Sequence, residues 1–256
     1  MTANTTHPSF PQPNDLDTKI WRYMDFTKLA SMFEESGIFF SRSDMLGDPF
    51  EGSYSKANAD DQIRSEMYAE DSKKLNIPIE KMIEANRMFG EHRKWQRQWM
   101  MVSCWHMSEH ESAAMWKLYT KSNESICVQS TYTKFANVLP ETIYIGQVQY
   151  IDYSKEWIGE RNLFTPYMHK RKSFVHEREI RAIDDRSPKV PLPMDKGLAP
   201  PDFGVWRPIN LHELIENIYI APSSPTWFRD LVEKFTIRYG FEIEVIKSSL
   251  DDEPFY

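Results

Sequence analysis

"IWRYMDFTKLASMFEESGIFFSR", Ile20 to Arg42, is the stretch whose reading decides the fold class. Ile20 to Met24 is bulky and apolar in the manner of a strand. Phe26, Leu29, Ala30 and Phe33 then recur at helical spacing, so Phe26 to Ser36 reads as an amphipathic helix. Gly37 would supply a left-handed stop for it, and Ile38 to Arg42 returns to strand. The next segment, "SDMLGDPFEG", is dense in turn residues, with a sharp bend expected at Asp48-Pro49.

Further along, the elements keep mixing without a regular βαβ alternation. Residues from about 60 to 100 have helical composition, with Pro78 suited to the start of a second helix and Trp95 and Trp99 on one face. "MMVSCWH" switches to strand. Ser108 to Glu111 has the pattern of a capping box, which would open the helix "SAAMWKLYT" with Met115, Leu118 and Tyr119 on its apolar side. "SICVQST", "IYIGQVQYID", "ENIYIAP" and "FEIEVIK" read as strands. Ser224, Pro225 and Gly240 mark the cap, first turn and stop of a late helix. A connection with Pro188, Pro191, Pro193, Pro200, Pro201 and Pro208 is expected to be stiff and non-helical. The pattern predicts an α+β fold. It would form a single domain over 18–256 with a helical insertion at about 58–99, after a flexible lead-in of residues 1–17.

Composition bounds the function. The chain has 256 residues, 41% of them apolar, enough for a substantial core. A formal charge of −7 argues against wholesale wrapping by nucleic acid, although "HKRK" at 169–172 could still touch phosphates. Two cysteines, Cys104 and Cys127, are too few for a disulfide scaffold and read as buried reduced thiols, which suits the cytoplasm. No apolar run reaches the roughly 18 residues of a membrane span, and "MTANTTHPSFPQPND" lacks the basic and apolar regions of a signal peptide. No two of the 9 glycines are spaced as G-x-G, so Rossmann and P-loop phosphate cradles are absent. H-E-x-x-H and G-x-S-x-G are absent too.

Two metal sites tempt. Cys104, His106 and His110, with His92 upstream, could gather around zinc, yet no paired C-x-x-C accompanies them and Ser108 and Glu111 are accounted for by the cap. Asp48, Glu51, Glu177 and Glu179 could hold Mg²⁺ in a nuclease of the carboxylate-x-Lys type, although the expected lysine is replaced by Glu or Arg. No metal is expected. "KRKSFVHEREIRAI", Lys170 to Ile183, poses the sharper question. Read as a strand from Phe174 onward, it puts Val175, Glu177, Glu179, Arg181 and Ile183 on one face, with the two carboxylates about 7 Å apart. Such a row is either a solvated ladder of cross-strand ion pairs or a pair of acids facing a cleft.

Several segments together carry a resemblance. "IWRYMDFTKLASMFEESGIFFSRSDMLGDPFEG", "VSCWHMSEHESAAMWKLYTKSNESICVQST", "GQVQYIDY", "KRKSFVHEREIRAI", "IYIAPSSPTWFRDLVEKFTIRYG" and "VIKSSLDDEPFY" resemble the bacterial and phage-associated "domain of unknown function 2971" family, a label that carries no activity. The element order more distantly resembles the ADP-ribosyltransferase fold, nearest in layout to its DNA-modifying toxin branch. That resemblance implies a split sheet and NAD as substrate, with no metal. It also implies an acceptor that is nucleic acid or protein, a role as toxin or phage-defence effector with a cognate antitoxin or defence partner, and no membrane. In it Glu177-Arg178-Glu179 matches a catalytic Glu-x-Glu pair, Arg22 a first-strand NAD ligand, and Ser41 or Ser43 a supporting serine. The Ser-Thr-Ser triplet of the pattern is missing. Glu179 would stabilise the oxocarbenium-like cation and Glu177 would orient or deprotonate the acceptor. Arg22 and Arg42 would hold the pyrophosphate, and Tyr23, Trp116 or Tyr119 would stack on nicotinamide or acceptor. A metal-dependent nuclease and a non-catalytic module with an aromatic groove are the competing readings.

Overall fold

The computed structural model describes residues 2–160, 162–189 and 197–254, the side chains of residues 89 and 91 apart. β1 (Lys19–Asp25), α1 (Phe26–Glu34) and β2 (Gly37–Arg42) lead into the helices α2 (Lys56–Ala59), α3 (Asp61–Leu75) and α4 (Ile79–Gln96). β3 (Met100–Met107), α5 (Ala113–Tyr119), β4 (Ser125–Thr131), α6 (Tyr132–Val138), β5 (Ile143–Gln147) and β6 (Gln149–Ile151) follow. The rest of the chain forms β7 (His169–Arg171), β8 (Glu179–Asp185), β9 (Gly204–Pro208), α7 (Leu211–Leu214), β10 (Asn217–Ile220), α8 (Thr226–Arg238) and β11 (Glu244–Lys247). Among the described residues nine strands form one sheet, ordered β11-β10-β4-β1-β3-β2-β9, with β8 also on β3 and β5 on β8. β10 and β11 run parallel and the other pairs in this sheet antiparallel, so the fold is mixed α+β as expected. β6 and β7 make a separate parallel ribbon.

The sheet forks at β3. One edge of β3 pairs with β8 from Met100 to His106. The other edge is divided: His106 and Met107 pair with Trp21 and Ile20 of β1, whereas Met101 and Val102 pair with Arg42 and Ser41 of β2. Between these ends Arg22 reaches across the gap, with Nη1 donating to Ser103 Oγ at 3.1 Å and Nη2 to the Phe39 carbonyl at 3.0 Å. One guanidinium thus ties three strands together where main-chain pairing lapses.

Alternation gives the two faces of the fork opposite characters. Ile20, Met24, Met101, Trp105, Met107, Ile180 and Ala182 bury into the main core with Leu29 and Phe33 of α1, Phe135 of α6 and Phe228 of α8. Trp21, Tyr23, Cys104, His106, Glu179 and Arg181 occupy the other face, which carries the polar chemistry. No described helix is long and apolar enough to cross a membrane.

Several local expectations are corrected. Residues 172–177 form a 3₁₀ turn, Arg178 sits in the left-handed region at φ 38, and the strand starts only at Glu179. Ser36, at φ 44, is the left-handed residue after α1; Gly37 matters because a Cβ there would lie 2.4 Å from the Arg207 carbonyl of β9. Ser112, not Ser108, caps α5, and its buried side is Met115 and Trp116, with Leu118 and Tyr119 exposed. Ser224 does not cap α8, because Pro225 holds that position and the Ser224 hydroxyl donates to Asn123. Part of the proline-rich connection is the edge strand β9, ending at Pro208 as an edge strand tolerates; Pro191 and Pro193 lie outside the described residues. Cys127 is buried, but Cys104 is only partly so. The lead-in is packed rather than loose: Asn4 bonds to the Ile143 carbonyl at 2.8 Å and Phe10 is 2% exposed against Tyr144.

Candidate active site

Four strands, β1, β3, β7 and β8, and the turn before β8 build the site. Register pairs Trp21 with His106 and His106 with Glu179, and Cys104 with Arg181, so these side chains share one face. The left-handed Arg178 then swings Glu177 back over the start of β8. Lys170, in the middle of β7, points its ammonium into the resulting cluster. Its Nζ lies 2.5 Å from Glu177 Oε2, 3.1 Å from Glu51 Oε1 and 3.2 Å from Glu179 Oε2. Arg181 grips Glu179 with Nε to Oε1 at 2.6 Å and Nη2 to Oε2 at 2.9 Å. Its Nη1 reaches Glu51 Oε2 at 2.8 Å and the Tyr167 carbonyl at 2.5 Å.

All five charged side chains are buried, so the row is no solvated ladder. Burial by itself would raise the Glu179 carboxyl, but Arg181 and Lys170 outweigh it and hold it at about 2. Burial likewise opposes the charges on Lys170 and Arg181, while Glu179 and Glu51 keep both above their ordinary values. Three carboxylates against two cations leave one negative charge in surplus. That surplus faces a cleft of about 510 Å³ that occupies the fork of the sheet. Glu177 is the acid placed to express it, since its Oε2 is taken by Lys170 and no described group bonds its Oε1.

The cleft gathers six of the eight residues expected at the site: Arg22, Tyr23, Ser41, Tyr119, Glu177 and Glu179. Arg22 faces it from the fork with no carboxylate beside it, and burial lowers its guanidinium to about 10. Arg42 and Trp116 are not among the lining residues. Arg42 forks onto Asp44 at 2.8 and 3.0 Å and bonds to the Pro201 and Asp202 carbonyls. Trp116 lies beneath Tyr23 and donates its Nε1 to Glu111 at 2.9 Å. Ser43 is buried outside the cleft, bonded to the Arg97 carbonyl at 2.8 Å.

No protein-family model matches this chain, and neither does any curated protein or solved structure.

What the arrangement can do therefore rests on its own geometry. The tempting zinc residues do not assemble: among the described residues no three His, Cys, Asp or Glu side chains could hold a metal ion. Of the four nuclease acids, Glu51, Glu177 and Glu179 converge, but around a lysine and without Asp48. Asp48 is tied to Arg171 at 2.7 and 3.1 Å, and the Lys170 ammonium stands between Glu51, Glu177 and Glu179 where a cation would have to sit. Sequence reasoning missed Lys170 altogether, because "HKRK" looks like a solvated basic face. Strand alternation does not single it out either, because Lys170 is the middle of a three-residue strand whose first residue, His169, is buried as well.

Proposed function

We propose that this chain is an ADP-ribosyltransferase-like enzyme that binds NAD in the fork of its sheet and breaks the nicotinamide–ribose bond. The observation that carries the reading is the polarity of the cleft. Arg22, a half-buried cation without a carboxylate, is on the fork side; Glu177, with an unengaged oxygen backed by a surplus negative charge, is on the other. NAD has matching ends. Its pyrophosphate would relieve the desolvated Arg22 guanidinium through the donors not used on Ser103 and Phe39. Its nicotinamide is cationic, and the ribosyl group becomes cationic as the bond breaks, so Glu177 would be worth more in the transition state than before it. Tyr119 and Trp206 line the same cleft and offer flat surfaces to the rings.

The two acids exchange the roles expected from the sequence. Glu177 is the acid able to touch substrate, whereas Glu179, with both oxygens engaged, holds Lys170 and Arg181 in place. The acceptor, nucleic acid or protein, is read best as a macromolecule approaching the exposed Tyr119 end.

The test is nicotinamide release from NAD by the purified protein, with chelator present throughout. Glu177→Gln, nearly isosteric, is expected to reduce release by at least about 100-fold with little change in the denaturation midpoint. Arg22→Leu is expected to raise KM more than it lowers kcat. No release by the wild-type protein, together with no shift of its melting temperature by NAD, would overturn the reading.

A further inference from the structure

His106 lines the same cleft, and the reading above leaves it unused. It stands next to the end of β3, paired to Trp21 on one side and to Glu179 on the other. Its ring Nδ1 lies 2.6 Å from the main-chain oxygen of Glu177. A carbonyl oxygen only accepts, so Nδ1 carries the hydrogen, and a neutral ring then presents Nε2 as a bare lone pair. No described group bonds that Nε2.

We propose that Nε2 of His106 is the general base that takes the proton from a hydroxyl acceptor as that acceptor attacks the ribosyl group. The inference rests on the NAD reading above and adds the acceptor's chemical class. In the step, the C1′–N bond breaks and its electron pair leaves with neutral nicotinamide. A lone pair of the acceptor oxygen forms the new C1′–O bond, and the O–H proton passes to Nε2 and then to solvent. Atoms and charge balance without a further reactant. The Glu177 carbonyl fixes the ring's tautomer and couples the base to the same turn that carries the acid, so the two groups that serve the reacting carbon are set by one piece of backbone.

The surroundings favour a neutral ring. Burial lowers the imidazole below its ordinary 6.5, the bond to the Glu177 carbonyl partly offsets this, and the charges of Arg178 and His176 lower it further. Across the strands it faces Glu179 of β8 and Tyr23 of β1, whose ring centre is 6.3 Å away, with Cys104 on its own strand and Tyr119 of α5 in the same cleft. A base of this strength suits a hydroxyl or water, whose acidity rises as the C–O bond forms. It could not deprotonate a guanidinium, so arginine side chains are excluded as acceptors by this group.

The experiment has two arms. In the first, ¹⁵N spectra of histidine-labelled wild-type protein are recorded against pH, with the His106 signal assigned by its loss in His106→Gln. A hydrogen on Nδ1 and titration below 6.5 are expected; a hydrogen on Nε2 at neutral pH overturns the proposal whether or not NAD is cleaved. In the second, nicotinamide release into water is followed from pH 5 to 8. The wild type is expected to lose activity toward acid with a midpoint below 6.5. His106→Gln should lose about 100-fold or more in rate together with that acid limb, and added imidazole should restore part of the rate to His106→Gly. Release with the same acid limb in wild type and His106→Gln would overturn the role of His106 and leave the NAD reading standing. No release by wild type would remove both.

Discussion

Lys170 is the residue on which the charged cluster turns, because its ammonium is shared by three carboxylates. Lys170→Met would leave Glu51, Glu177 and Glu179 crowded with only Arg181 to balance them, and removing one partner of a buried charge set costs about 3–5 kcal/mol. We expect that loss at pH 7 in urea denaturation. It should shrink as pH falls, because the mutant's unpaired acids can take up protons. Wild-type protein should respond to acid in the opposite sense. The Glu179 carboxyl is held at about 2 in the folded protein against 4.5 unfolded. A depressed carboxyl stabilises the fold fully above the unfolded value, and its contribution drains away as pH falls from about 4.5 toward 2. The denaturation midpoint of wild type should therefore decline through that window, and the same decline should be absent from Glu179→Gln. A midpoint of Glu179→Gln that tracks wild type across the window would show that other acids dominate.

At the scale of elements, the strands whose two faces differ were legible from alternation alone. β1, β2, β3 and β4 fall within a residue or two of where the pattern puts them. The start of β8 was not legible, because "SFVHE" has strand-like residues while its conformation is set by the left-handed Arg178 and by Lys170, which lies outside the segment. β9 was hidden by its proline neighbours, since edge pairing is a tertiary fact that a proline at the strand's end does not forbid. At the site, the acids could be named from the sequence because charged residues among core residues are conspicuous, whereas Arg22 could be named only from a resemblance in element order. The roles of Lys170 and His106 could not be named, because their meaning lies in register. β9 also gives an element-scale prediction. Gly37 lets β2 approach β9 so closely that an added Cβ would press on the Arg207 main chain, which cannot yield as a side-chain end would. Gly37→Ala should cost about 1–3 kcal/mol. It should also move Trp206, which lines the cleft, and so weaken ligand binding more than Gly47→Ala, where a Cβ meets nothing within 4 Å. Equal effects of the two substitutions on both readouts would mean that the β2–β9 contact is not what sets the wall of the cleft.

For the whole molecule, the packed residues 4–12 are linked to the site. Among the described residues the sheet strand paired to β5 is β8 alone, so the other edge of β5 would be open, and residues 4–12 cover it. The amide of Gln147 donates to the Pro11 carbonyl at 2.7 Å, and Gln12 Nε2 to the Ile145 carbonyl at 2.9 Å. The approach is so close that a Cβ on Gly146 would lie 2.8 Å from the Pro11 carbonyl oxygen. Phe10 then inserts among Tyr144, Phe164 and Tyr167, and it is the Tyr167 carbonyl that receives Arg181 from behind the acids. Deleting residues 1–13 therefore removes a buried aromatic worth about 3–5 kcal/mol. In a chain of this size that corresponds to a fall in melting temperature of roughly 10 °C. It also bares a strand edge, so the truncated protein should self-associate at concentrations where the full chain does not. Phe10→Ala separates the two effects, since it empties the pocket but leaves the main-chain cover in place: it should lower the melting temperature without promoting association. If truncation left both the melting temperature and the sedimentation behaviour unchanged, the first residues would be a passive tail, and the support of Arg181 would have to come from β8 and Glu51 alone.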